Sequence, residues 1–328
     1  MVKKRKRTSP LLVGIWTLNI FGTLGVAGLF FLMRTKDPAP ALPPELAPTI
    51  EIGTSAPTSP VLQPPPTTYL LPSVTPNPRA TRIVVDTPTP FVLESGMKPQ
   101  VIGYSVAGRP LEVYQFGNGP SHRLIVAGIH GGYEWNTIAL ADELIIHLSE
   151  NPGIVPPNVT LYILRALNPD GDARSHSYEG RVNEHNVDLN HNWPYHWKED
   201  WDRDGCWSYL PTTGGTHPAS EPETIALMNF INFHQIDALI SYHSAALGIF
   251  AGGMPPFSPS LNLASALDKV SGYQYPPLDT GCDYSGNLTD WASSLKGIPS
   301  VDIELSNHRD TDFTMNLRIL DVFLSWSP

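Results

Sequence analysis

An apolar run, Leu124-Ile125-Val126-Ala127, breaks at Gly128 and leads into Ile129-His130-Gly131-Gly132-Tyr133-Glu134. Beyond it, apolar residues recur at helical spacing from Ile138 to Leu148. This is a strand, a turn and a helix. It sets His130 and Glu134 at the carboxyl end of a strand, where open α/β sheets bind their ligands. The glycine pair lets the backbone bend sharply and approach another group closely. A His and a carboxylate on one short loop can hold the same metal ion. Two ligands are not a site, so the rest of the chain must supply more.

From about residue 98 onward the same alternation continues. Val101 to Val106, Leu111 to Phe116, Arg123 to Gly128, Val159 to Leu164, Ile236 to Tyr242 and Ser300 to Leu305 read as strands, with Gly, Pro and Asn turns between several of them. Asn168-Pro169-Asp170-Gly171 ends one strand in a turn. Helices are expected over Glu221 to His234, with Ser220 as its cap and Pro222 near its first turn, and over Leu261 to Val270, Asn287 to Leu295 and Thr311 to Trp326. The pattern predicts one α/β domain, residues 98–328, with a mixed, largely parallel sheet flanked by helices. It is long enough for a single large core.

The first hundred residues are different. The formal net charge of −10 hides seven Lys/Arg and no acid in residues 1–36, so the remainder carries 14 basic against 31 acidic residues, or −17. That balance argues against a nucleic-acid partner. A basic tail (1–10) precedes Leu11 to Met33, 23 residues without a charge and long enough to span a bilayer. The expectation is an uncleaved, single-pass signal anchor, preferred over a cleaved signal peptide or a core helix. The basic cluster at Lys3 to Arg7 then stays cytoplasmic and the bulk of the chain lies outside. Residues 34–97 are rich in Pro, Thr, Ser and Ala and read as an unfolded tether. Extended at ~3.1 Å per residue, it reaches on the order of 100–200 Å.

Cys206 and Cys282 are the two cysteines. Outside the cytoplasm they invite a disulfide, whose loop of about 76 residues would contribute roughly 4 kcal/mol in the chain-entropy treatment. Sequence leaves open whether they are neighbours. Asp200-Trp-Asp202-Arg-Asp204-Gly205 starts like a calcium loop. The twelfth position, where a calcium loop needs Glu, is Pro211, so a solvated acidic loop is the preferred reading.

His243 closes the strand Ile236 to Tyr242, and Glu304 lies at the end of Ser300 to Leu305. With His130 and Glu134, they put chemistry-bearing side chains at the carboxyl ends of three apolar strands. Two His and one Glu make a catalytic zinc site with a position open for water. A further Glu can act as base on that water.

At this point the chain resembles the zinc carboxypeptidase family of the carboxypeptidase A type, in the form of a bacterial, membrane-anchored member. The resemblance covers about residues 98–328. It rests on His130-Gly-Gly-Tyr-Glu134, Asn168-Pro-Asp-Gly171, Arg181-x-Asn183, Val187-Asp188-Leu189-Asn190-x-Asn192, Ser220-Glu-Pro-Glu-Thr224, Ser241-Tyr-His243-Ser244 and Gly297 through Glu304-Leu305. It implies a zinc carboxypeptidase-like fold holding one zinc ion on His130, Glu134 and His243, and a peptide substrate. Glu304 is implied as the base, and Arg181 as the group that polarises the scissile carbonyl. Asp188 is implied as the carboxylate behind a ligand His, and Asn190 as half of a grip on the substrate's terminal carboxylate. Tyr284 falls near the family's mobile tyrosine. Thr289 falls where the family sets the base of its specificity pocket, and a small neutral group there argues against strongly charged substrates.

Two departures qualify this. The family spacing His-x-x-Glu is here His-x-x-x-Glu, with the glycine turn expected to absorb the extra residue. The family's carboxylate-binding arginine is replaced by His191. Histidine lacks the two-pronged, permanently charged head of arginine and titrates near neutrality. The leading expectation is therefore a membrane-tethered, extracytoplasmic zinc peptidase that removes a C-terminal residue. The alternatives are an endopeptidase or amidase on cell-wall peptides, a zinc deacylase of the aspartoacylase type, and a non-catalytic binding module.

Overall fold

The computed structural model describes residues 91, 93, 96–201, 212–282 and 284–328. The expected basic tail, the 11–33 anchor, nearly all of the tether, Cys206 and most of the acidic loop from Asp200 to Gly205 lie outside these residues. Among those described, no helix is long and apolar enough to cross a membrane.

Seven strands form one sheet in the order β1-β2-β4-β3-β5-β7-β6. They are β1 (Gln100–Tyr104), β2 (Pro110–Gly117), β3 (Ser121–Val126), β4 (Val159–Leu164), β5 (Ala238–Ser244), β6 (Ile249–Ala251) and β7 (Ser300–Leu305). The four central strands, β4, β3, β5 and β7, run parallel, whereas β1, β2 and β6 join antiparallel at the edges. The sheet is thus mixed around a parallel centre. Every residue of β4 and β5 is buried, as continuous apolar runs covered on both faces require.

Helices cover the two faces. Leu140 and Leu144 of α1 (Trp135–Glu150) share a core with Leu263 of α4 (Ser258–Asp268), Phe323 of α6 (Phe313–Ser325), and Ile125, Ile163 and Ile240 of the sheet. On the other face, Leu227 of α3 (Pro222–His234) and Trp291 of α5 (Leu288–Lys296) pack with Leu124, Val126 and Leu239. Neighbouring strand residues divide between the two cores, as a period of two demands.

Local expectations needed three corrections. Asn168-Pro-Asp-Gly171 opens a short helix, α2 (Pro169–Arg174), rather than a turn. The Asn168 side chain caps it by accepting from Gly171 N at 2.8 Å. Ser220 is not the cap of α3. Pro222 takes the first helical position, so the extended residue before it, Glu221, is the cap residue. Ser220 Oγ instead donates to Glu221 Oε1 at 2.6 Å. Strand β6, three residues long, is too short to leave a periodic signature and was not anticipated.

Candidate active site

Parallel neighbours β3, β5 and β7 end side by side, and this delivers the site. In register, Val126 pairs with Ser241, Ser241 with Asp302, and His243 with Glu304. Gly131 to Glu134 forms a single 3-10 turn after β3, which absorbs the additional residue between His130 and Glu134. The glycines are required there. A Cβ on Gly132 would sit 2.1 Å from the Ser175 carbonyl oxygen, and one on Gly131, whose φ is +47°, 2.7 Å from that of Gly180. Thr137 pins the loop by donating to Glu134 O at 2.8 Å and accepting from Gly128 N at 3.0 Å.

His130, Glu134 and His243 are 4%, 2% and 3% exposed. Their donor atoms lie within 4.8 Å of one another. Nδ1 of His130 is 2.7 Å from Glu134 Oε1, Nδ1 of His243 is 3.3 Å from Glu134 Oε2, and the two Nδ1 atoms are 3.3 Å apart. Both imidazoles thus turn the same nitrogen inward, onto one carboxylate. Burial alone would raise Glu134, but His130 and then His243 outweigh it and hold the carboxyl well below its usual range. Burial opposes charge on His243, yet Asp302 and Glu134 raise it well above an ordinary histidine. The spot favours positive charge, and two nitrogens with one carboxylate oxygen are the donor set of a zinc site with an open position.

The outer nitrogens are supported. His130 Nε2 lies 3.3 Å from Asp188 Oδ1 and 2.9 Å from an Arg181 amino group. When the Nδ1 lone pair faces a metal, Nε2 carries the proton, so donation to Asp188 is the contact that persists. Asp188 is fully buried. Its Oδ2 accepts from Arg181 Nε at 2.7 Å and its Oδ1 from Asn190 N at 3.0 Å. Burial works against its charge, but Arg181 and His130 hold it well below the usual carboxylate range. His243 Nε2 lies 3.1 Å from Ser241 Oγ and 3.5 Å from Asp302 Oδ1. Asp302 was missed from the sequence. Its signal was there in strand alternation, which puts it on the same face as Glu304 two residues on.

Glu304 Oε2 is buried without a hydrogen-bond partner among the described residues. Burial, then the Glu134 charge, lifts its carboxyl to about 8. Arg181 is held charged by Asp188 and Glu134 against the cost of burial, and its guanidinium lies over the Tyr133 ring at 5.7 Å. His130, Glu134, His243, Arg181, Asp302 and Glu304 line a cavity of about 360 Å³.

The remaining expected residues line the same cavity. Asn190 Oδ1 accepts from Leu288 N at 3.3 Å. Tyr284 pairs its hydroxyl with Thr280 Oγ1 at 2.7 Å. Thr289 is buried and donates to Asp302 Oδ2 at 2.7 Å. His191 requires a correction. It does not titrate near neutrality, because burial presses it down to about 4. Its ring stacks on Trp201 at 4.0 Å and its Nδ1 lies 3.3 Å from Ser285 O. The possible bridge from Cys282 involves Cys206, outside the described residues.

Residues 94–320 match the sequence model of the family described as zinc carboxypeptidase, Peptidase_M14. The chain belongs to that family. Zinc is its metal, and His130, Glu134 and His243 are the group here that can hold it. Mouse (Mus musculus) carboxypeptidase A6 is 29% identical over 235 residues, 60% of this chain and 52% of that protein. Gamma-D-glutamyl-L-diamino acid endopeptidase 1 of Lysinibacillus sphaericus is 25% identical over 244 residues, 63% and 60% of the two chains. The chain thus spans only about half to three-fifths of these relatives' lengths. Among solved structures, murein-tripeptide amidase MpaA from Escherichia coli O157 superposes with a TM-score of 0.51 at 24% identity, covering 72% of this chain and 96% of that one. Thrombin activatable fibrinolysis inhibitor gives 0.56 at 21%, covering 70% and 68%. These two likenesses bear on the fold.

Proposed function

We propose that this zinc metallopeptidase hydrolyses a peptide bond at the carboxyl end of its substrate, with the described domain held outside the cytoplasm by residues 11–33. The observation that carries the reading is the convergence of two inward Nδ1 atoms, the Glu134 carboxylate and Glu304 on one cavity. Zinc, when bound, supplies Lewis acidity to the scissile carbonyl and to water. Glu304, ionised beside the charge of a bound zinc ion, would take the proton from the attacking water and return it to the leaving nitrogen. Arg181 is the fixed donor for the negative charge that develops on the carbonyl oxygen. Asp188 keeps His130 oriented, and Asn190 binds the substrate's end. Tyr284 and Thr289 bound the space for the released residue. The tether and its topology rest on the uncharged run and the basic cluster before it.

A second reading is favoured by His191. A neutral imidazole gives a terminal carboxylate no charge to pair with, so the cavity suits a leaving portion that does not depend on that grip. Endopeptidase or amidase action on cell-wall peptides meets this condition, and two of the similar proteins bear such names. The deciding experiment is hydrolysis of a peptide panel with free and amidated C-termini by the zinc-loaded chain. Cleavage of the free series alone supports removal of a C-terminal residue. Equal cleavage of both supports the second reading, and no cleavage of either removes the peptidase assignment.

A further inference from the structure

We propose that His308 is a further substrate-binding residue, whose Nε2 accepts a hydrogen bond from a backbone N–H of the substrate peptide, and that Asn136 and Ser244 hold the ring in the tautomer this needs. This rests on the peptidase reading and adds a contact to the same site.

The relay of bonds begins at Asn136, in the first turn of α1 and two residues after Glu134. Its side chain is fully buried. Nδ2 donates to Asn307 O at 2.7 Å and to Asp310 O at 3.0 Å, so both amide protons are spent on carbonyls of the loop that follows β7. Two carbonyl partners settle which amide atom is the nitrogen. The other, Oδ1, can only accept, and it accepts from Ser244 Oγ at 3.0 Å.

Ser244 has one hydroxyl proton, and Asn136 takes it. Ser244 Oγ also lies 3.0 Å from His308 Nδ1. With its proton already given, the hydroxyl can only accept there, so His308 Nδ1 carries a hydrogen. In the neutral ring Nε2 is then bare, with a lone pair to offer. No group among the described residues takes it. The contacts of His308 are Ser244 Oγ and the Tyr133 ring, whose centroid is 5.1 Å away.

Placement gives that lone pair a use. His308 is exposed and lines the cavity with Tyr133, Ser244 and Glu304. Its turn is braced: Asn307 Oδ1 accepts from Arg309 N at 2.7 Å and from Asp310 N at 2.8 Å, and Tyr133 is itself stacked on Tyr178 at 4.9 Å. The acceptor is therefore fixed before a substrate arrives, and little freedom is lost in using it. A peptide lying in the cavity brings N–H donors that lose water there and need a partner. Glu134 and Glu304 are reserved by metal binding and proton transfer, whereas the His308 acceptor carries no other task.

The test is a cycle between enzyme and substrate on the full zinc-loaded chain. Each peptide in a ladder carries an ester oxygen in place of one backbone N–H, moved through three residues on each side of an unaltered scissile bond. In the unmodified chain the ester at one position should cost roughly three- to tenfold in kcat/KM, the scale of a neutral hydrogen bond. In His308→Phe, which keeps an aromatic ring beside Tyr133, that cost should vanish. Ser244→Ala retains the backbone N–H that donates to Glu134 Oε2 at 3.2 Å. It should keep its zinc and shrink the same cost, because the ring is then free to change tautomer. An unchanged cost in Ser244→Ala would remove the relay through Asn136 and Ser244. A His308→Phe variant that slows every peptide alike, with no position whose cost depends on residue 308, would overturn the proposal outright. If no peptide is cleaved, the peptidase reading fails by itself. Calorimetric affinities of the same ladder then still decide, and costs equal in the unmodified chain and His308→Phe count against the contact.

Discussion

His243 and Glu304 are Cα partners on the adjacent parallel strands β5 and β7. One is a candidate metal ligand and the other the candidate base, so the separation that hydrolysis requires is set by sheet hydrogen bonding and not by a loop. Two residues earlier, Ser241 and Asp302 repeat the pairing and reach the far nitrogen of the same imidazole. A catalytic pair on neighbouring strands is positioned more firmly than one on mobile connections.

Removing the charge and basicity of Glu304 with little change of shape tests its role. Glu304→Gln should keep its zinc and lose activity by roughly 10²–10⁴-fold, the range general acid–base catalysis supplies. Metal content and kcat measured on the same preparation check this. Undiminished turnover would reassign the base.

The carboxylate behind His130 is predicted to act through the metal. Asp188→Asn removes the partner of both His130 Nε2 and Arg181 Nε. Zinc affinity should drop by about 10–100-fold, as for other supports of ligand histidines. Chelator competition reads the affinity directly. Stability should also fall, because the mostly buried Arg181 loses its counter-charge.

Gly132 tolerates no side chain. Its Cβ would lie 2.1 Å from a backbone oxygen of Ser175, an atom that cannot swing away. Gly132→Ala should destabilise the fold by about 1–3 kcal/mol, as overpacking does, and should weaken zinc binding by shifting the ligand loop. Chemical denaturation and zinc titration of the variant test both parts.

The pH dependence of stability carries a signature of His191. Its folded value is lowered from 6.5 to about 4, so the unfolded chain binds the extra proton over that interval. The stability of the neutral, buried ring is fully present above 6.5 and is lost as pH falls toward 4. The effect is on the order of 3 kcal/mol. Unfolding free energies of the wild type and His191→Gln, measured from pH 7 to pH 4, should converge on acidification. Parallel curves would show that the ring titrates normally.

Much of this was legible in the sequence because its causes are local. The runs behind His130, His243 and Glu304 are continuous and apolar, and a buried parallel strand needs little else. The glycine pair announced a close backbone approach, which Ser175 and Gly180 provide. What stayed hidden depends on residues distant in the chain. Asp302 is an ordinary acid in a strand until β5 sets Ser241 and His243 beside it. The low pKa of His191 comes from its burial, with Trp201 stacked on its ring, and burial is a property of the fold. Thr289 likewise meets Asp302 across the cavity wall, a neighbour that its place in the sequence does not announce.

The central claim is that His130, Glu134 and His243 share one zinc ion. Zinc content by elemental analysis, on the unmodified chain and on His130→Ala, Glu134→Ala and His243→Ala, tests it most directly. The account predicts one zinc per unmodified chain and loss of tight binding in each variant while the fold is retained. A chain that takes up no zinc, or variants that keep a full equivalent of tightly bound metal, would contradict it.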